Sequence, residues 1–221
     1  MIKLYIVLFS LVISLGTVKS QGLTVKAEAD FVSAYIWRGL YVGPASIQPG
    51  ISLSANGLTL GVWGSSSFNS SWREFDLYAR YSIGNLSLLI TDYFLPHDLP
   101  NGDKVSYFNF SEHVVEATLS YTFGESLPLT FVWNTNFVGD EDYSTFVEAS
   151  YTIPTSFADI DLIVGVTPKT GYYSDGFAFV VTSIKASKEI SVNDNFSVPL
   201  YTQAILNPDS KDVFLVFGVK F

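Results

Sequence analysis

Val213-Phe214-Leu215-Val216-Phe217-Gly218-Val219-Lys220-Phe221 closes the chain, and every second residue back from Phe221 is apolar: Val219, Phe217, Leu215, Val213. A strand sends alternate side chains to opposite faces, so this dyad describes a wall between two different surroundings. The other face, Phe214, Val216, Gly218 and Lys220, is only weakly polar. The reading therefore rests on how often the pattern returns.

It returns along the whole chain. Val25, Ala27, Ala29, Phe31, Ser33, Tyr35 and Trp37 share one face, with Lys26, Glu28, Asp30 and Arg38 on the other. Ile47, Ile51 and Leu53 oppose Gln48, Ser52 and Ser54; Phe75, Leu77, Ala79 and Tyr81 oppose Glu74, Asp76, Tyr78 and Arg80. Val115, Ala117, Leu119 and Tyr121 then oppose Glu116, Thr118 and Ser120, and Val147, Ala149 and Tyr151 oppose Glu148 and Ser150. Together these runs predict about 12 strands of roughly ten residues, the length a tilted strand needs to cross the hydrocarbon of a bilayer. Asn56-Gly57 and Gly84-Asn85 read as two-residue hairpin turns, whereas Arg38 to Ser46, Ser65 to Arg73 and Phe94 to Phe110 read as longer polar loops. Short turns on one side and long loops on the other fit an antiparallel up-and-down barrel, all-β and transmembrane, with its loops outside. Lys188 to Phe196 breaks the asymmetry, as a long connection on the short-turn side.

A soluble sandwich would show the same alternation with its apolar face turned inward. Two features favour the membrane barrel. Aromatic residues fall near strand ends on the apolar face, Tyr35 and Trp37 at one end and Tyr81, Tyr121, Phe123, Tyr151 and Phe221 at the other, as in interfacial girdles. A closed soluble barrel of about 12 strands would also enclose more space than side chains readily fill.

Composition narrows the function. Of 221 residues 16% are aromatic and 15% charged, the formal net charge is −9, and there is no cysteine, hence neither a disulfide framework nor a lipidated cysteine anchor. Lys3, the apolar run Leu4 to Leu15, and Val18 and Ser20 ahead of Gln21 predict a cleaved signal peptide over residues 1–20 and one barrel domain over 21–221. Loss of Lys3 and Lys19 would leave a net charge of −11, which argues against a nucleic-acid partner. The expected location is the bacterial outer membrane. The expected partners are its lipid, the barrel-assembly machinery through Phe221, and small solutes or ions.

Ser33-Ala34-Tyr35-Ile36-Trp37-Arg38-Gly39, Gly61-Val62-Trp63-Gly64-Ser65 and Glu74-Phe75-Asp76-Leu77-Tyr78-Ala79, with Asp92-Tyr93-Phe94-Leu95-Pro96, resemble the bacterial TorF-like porin family. Ala34 stands where that family has an aspartate, so no role of that carboxylate carries over. The resemblance implies an outer-membrane barrel for which a pore role is proposed.

With the apolar face on lipid, the lumen receives Lys26, Glu28, Asp30, Glu74, Asp76, Arg80, Glu116, Glu148, Asp161, Lys185 and Lys220, seven acids against four bases. Carboxylates in a narrow aqueous path concentrate cations, which predicts a passive, mildly cation-preferring channel. Alternatively the charges pair across the lumen, Arg80 with Glu116 or Asp76 and Lys26 with Asp30 or Glu28, and crosslink the wall. The second function the sequence allows is a closed barrel that acts as a structural anchor or binds and adheres through its loops. Arg38, ahead of Gly39, is placed to hold a carboxylate with its guanidinium fork at the rim.

No catalytic residue, cofactor or metal is expected. Only two histidines are present, His97 in a long loop and His113 at a strand start, and there is no Gly-x-Ser-x-Gly elbow. Asp140-Glu141-Asp142 lacks a full calcium ligand set and reads as a solvated hairpin tip.

Overall fold

The computed structural model describes residues 17–20, 22–96, 106–193 and 196–221. Its strands are β1 (Thr17–Ser20), β2 (Leu23–Trp37), β3 (Leu40–Ala55), β4 (Leu58–Ser67), β5 (Arg73–Ile83), β6 (Leu86–Phe94), β7 (His113–Thr122), β8 (Leu129–Val138), β9 (Thr145–Pro154), β10 (Asp159–Thr167), β11 (Ala178–Asn193), β12 (Phe196–Asn207) and β13 (Asp212–Lys220). From β2 onward each strand pairs antiparallel with the next, and β13 returns to β2, so twelve strands close a barrel. β1 folds back on the first residues of β2, from Thr17 against Lys26 to Ser20 against Leu23.

Alternation in the sequence becomes two rings in space. Leu53, Leu60, Ala79, Ile90 and Ala117 lie side by side across five strands on the outer face, and Ser52, Gly61, Tyr78, Thr91, Glu116 and Asn136 run beside them on the inner one. The outer face carries the exposed Leu60, Leu77, Leu119, Trp133, Leu162 and Leu215, while Gln48, Asp76, Glu116, Asn134 and Ser183 are buried inside. Apolar out and polar in is the arrangement of a barrel whose outer solvent is not water. Tyr81, Tyr121, Phe123 and Tyr151 are exposed at the short-turn end, as the girdle pattern predicts.

Asn56 and Gly57, with φ of 52° and 84°, make the turn between β3 and β4, the geometry that matches strand twist in two-residue hairpins. Two loop expectations are corrected. Lys188 to Phe196 is mostly strand: β11 continues to Asn193 and Asn193 pairs with Phe196, so the connection is short and the asymmetry of the two ends is restored. Arg38 to Ser46 is no loop either, because β3 begins at Leu40 and only Arg38-Gly39 joins it to β2.

That hairpin leaves the wall. β13 pairs with β2 at three positions, Lys220 with Asp30, Val219 with Phe31 and Gly218 with Val32, where the other neighbouring strands of the twelve-strand wall share seven to thirteen. Beyond Val32 the Ser33 hydroxyl accepts the Phe217 N–H, and the hairpin then turns into the barrel. The extra residue Val42, opposite the Tyr35–Ile36 step, is a bulge of the kind that bends a strand pair.

Candidate functional site

The inserted hairpin is held by its tip. Arg38 and Gly39 both have positive φ, 51° and 81°, between the paired Trp37 and Leu40. For arginine that conformation costs about 1–2 kcal/mol, and its side chain supplies the compensation. Arg38 donates Nη1 to Glu116 Oε2 at 2.5 Å and Nη2 to Oε1 at 2.8 Å, a two-pronged bond to a carboxylate that is 1% exposed. Nη1 also reaches the Tyr173 hydroxyl at 2.5 Å, and Tyr93 and Thr118 donate to Glu116 Oε1 at 3.0 and 3.2 Å. The guanidinium lies 4.3 Å from the Trp37 ring centre and 5.1 Å from that of Phe146. Tyr173 lies in the loop between β10 and β11, where burial pushes its hydroxyl up to about 12 and keeps it neutral beside the ion pair.

Gly39 fits where no side chain would. A Cβ there would lie 2.1 Å from the Val180 carbonyl oxygen, and the Gly39 carbonyl accepts Nδ2 of the buried Asn207 at 3.2 Å. Ile36, Trp37 and Leu40 pack against Phe146, Val181, Ile205 and Val216, an apolar patch on the inner wall of β9 to β13. One side of the hairpin is thus sealed against the barrel.

The other side is open. Between the hairpin and the inner wall of β5 to β8 lies a cavity of about 280 Å³, with Tyr35, Trp37, Trp72, Tyr93 and Tyr172 around it and Glu74, Asn136 and Asp140 supplying polar atoms. Glu74 Oε2 accepts the Trp72 indole N–H at 3.3 Å. Tyr35 and Trp37 therefore do not form an interfacial girdle: the hairpin's inward turn puts Tyr35 against Trp63 and Trp37 against Tyr93, Tyr172 and Tyr173.

The remaining lumen candidates form separate groups. Lys26 and Lys220 bind Glu28 at 2.5 and 3.1 Å, and Lys220 lies 3.9 Å from Asp30, a chain of charges across the β2–β13 junction. Of the pairs considered for Arg80, that with Glu116 is not made, because Arg38 takes both carboxylate oxygens. Arg80 stays exposed near the short-turn end. Asp161 accepts Thr152 Oγ1 at 2.7 Å and stands opposite Lys185, whose ammonium lies 4.5 Å from the Tyr201 ring centre. Among the described residues no base lies within ion-pair reach of Glu74, Asp76 or Glu148. Asp76 is 4% exposed, and its Oδ1 has no hydrogen-bond partner.

Asn136, Tyr172 and Tyr173 were not singled out in the sequence. Gly171-Tyr172-Tyr173 carries a local signal, a tyrosine pair after glycine, but only the fold shows this loop reaching Ser144, whose hydroxyl accepts the Tyr172 N–H at 2.7 Å.

His97 lies outside the described residues. His113 uses both ring nitrogens, Nδ1 with Asp92 Oδ1 and Nε2 with the Tyr107 carbonyl, each at 2.7 Å, and is packed by Phe94, Tyr107 and Phe110, so it braces the loop before β7. Asp140 closes its own turn, accepting Asn136 Nδ2 and the backbone N–H groups of Asp142 and Ser144. Desolvation would raise its carboxyl, but these bonds and the Ser144 side chain bring it below the ordinary aspartate value.

Among solved structures, a tryptophan-substituted variant of the Rh. blastica porin matches at 12% identity over 93% of this chain and 75% of its own, with a TM-score of 0.42. A triple mutant of the Rhodopseudomonas blastica porin gives 12%, 93%, 75% and 0.40, and a protein described under asymmetric conductivity of engineered proteins gives 11%, 93%, 87% and 0.42. No curated protein matches the chain. The family profile described as "Bacterial protein of unknown function (Gcw_chp)" spans residues 17–202, and the chain belongs to that family.

Proposed function

We propose that the protein is an outer-membrane channel for passive movement of small solutes or ions, of the kind the TorF-like resemblance implies, with the β2–β3 hairpin setting the width of its mouth. The observation that carries this is the closed twelve-strand wall, apolar outside and polar inside, crossed near its loop end by one hairpin that packs on one flank and leaves a cavity on the other. Solutes pass on the β5 to β8 side, beside Glu74 and Asp76. Because Glu116 is spent on Arg38, cation preference rests on Glu74, Asp76 and Glu148. Residues 1–20 act as the signal and are removed before assembly.

Refolded protein in a planar bilayer under a salt gradient tests this. Current steps with a cation-selective reversal potential that moves toward zero in Glu74→Gln/Glu148→Gln are expected; an anion-selective potential would remove the charge argument. The depth of the hairpin in the lumen favours one other reading, a closed barrel whose loops bind a partner. A folded but silent barrel would select it.

A further inference from the structure

We infer that residues 106–112, the segment leading into β7, are a lipid-docking element: folded down over the outside of the wall, they seat the Phe108 and Phe110 rings in the leaflet at the loop end of the barrel. The inference rests on the reading of the outer face as lipid-facing and stands whether or not the lumen conducts.

Strand register supplies the first observation. Phe75, Phe94 and His113 face one another across β5, β6 and β7, and the next row down is Leu77, Asp92 and Val115. Both rows share the parity of Leu77, which puts them on the outer face. Yet Phe94 and His113 are only 5% and 2% exposed, where Leu77 is 38%. The chain itself is the cover. The Tyr107 carbonyl bonds His113 Nε2 at 2.7 Å, and the Tyr107 ring stands edge-on to Phe75 and Phe94, with centres 5.7 and 5.2 Å away. Bonds from the Asn109 N–H to the Ser106 carbonyl and from the Glu112 N–H to the Asn109 carbonyl, at 2.9 and 3.1 Å, curl the segment against the wall.

What the segment covers and what it bares both point to lipid. It covers a polar pair: Asp92 and His113, on the outer face, bond each other at 2.7 Å, with the Tyr107 and Phe110 rings packed on the imidazole. A water-facing wall could leave that pair open, whereas hydrocarbon penalises it. It bares apolar rings: Phe108 and Phe110 are 80% and 69% exposed, in a stretch whose one charged residue is Glu112. Bare rings beside an apolar face mark a membrane contact, and these two continue the exposed outer face of Phe75 and Leu77. Aromatic rings at strand ends belong to the membrane interface. At the loop end the strands supply fewer than their sequences promise, since Tyr35 and Trp37 turn inward and Phe94 is covered. Phe108 and Phe110 stand in for them.

The chain has no cysteine, so a nitroxide on a single introduced one reports a single place. Four variants of the protein in lipid vesicles test the inference: Phe108→Cys and Phe110→Cys in the segment, Leu77→Cys on the open outer wall, and Glu141→Cys on the exposed turn between β8 and β9. Both phenylalanine rings are exposed, so their replacement leaves the packing of the wall intact. Collisions of each label with oxygen, which partitions into lipid, are compared with collisions with a polar nickel chelate, which stays in water. Expected is an oxygen-to-nickel ratio at positions 108 and 110 at least about threefold that at 141. A smaller ratio there, with a high one at 77, overturns the docking and leaves the lipid-facing wall standing. A low ratio at 77 overturns the reading of the wall on which the inference rests. Shielding of 108 and 110 from both reagents, as under a second copy of the chain, overturns lipid as the occupant.

Discussion

Arg38 stands in a conformation that disfavours it and is held there by a carboxylate that water scarcely reaches. Removing one member of a buried ion pair strands the other, at a cost of about 3–5 kcal/mol. Glu116→Gln should therefore lower unfolding stability by that order and loosen the hairpin, read by denaturant titration and by faster amide exchange at 33–45. Unchanged exchange would mean that the apolar flank alone holds it. Gly39→Ala attacks the same tip from the other side: besides about 1–2 kcal/mol of left-handed strain, its methyl would meet the Val180 carbonyl. The expected result is a hairpin displaced from β11, seen as protease cleavage within 33–45 of an otherwise folded barrel. Neither consequence is written in the residues themselves. Arginine next to glycine signals a turn, but that the turn faces inward depends on Glu116, 78 positions away.

Elements differ in how plainly the sequence announces them. Wall strands were legible because outer and inner positions meet different surroundings at every step, as from Phe75 to Tyr81. Leu40 to Ser46 was not, since its first residues pair with β2 alone, away from β4, and the Val42 bulge breaks the period. The loop between β8 and β9 gives a pH prediction. Its Asp140 carboxyl is lowered on folding, so the stabilisation is complete above the unfolded aspartate value of about 3.9 and is lost as pH falls through the lower folded value. Amide exchange at Asp142 and Ser144 should rise below that range while β8 itself stays protected; Asp140→Asn should show the faster exchange already at neutral pH. At β7, His113→Ala leaves Asp92 and the Tyr107 carbonyl without their partner, and segment 106–112 should become protease-sensitive at a cost of about 1–3 kcal/mol.

At the scale of the whole molecule the outer face carries the decisive contrast. Leu77→Arg, midway along β5, should cost about 2–4 kcal/mol in lipid vesicles, whereas a solvated outer face would tolerate it nearly without change. The closed ring and its polarity were legible from periodicity; the candidate site was legible only in part, since Glu74, Arg38 and Glu116 could be named but not the rings and the amide that accompany them. The early end of the β2–β13 ladder has a consequence for how the molecule sits. Past Gly218 the strand still climbs to Asp212, carrying Leu215, 76% exposed, but its edge toward β2 has no ladder partner. Peptide groups without partners are not tolerated in hydrocarbon. In a bilayer this edge belongs with the headgroups and not with the acyl chains, so the junction of the first and last wall strands marks the side on which the hydrocarbon boundary lies lowest.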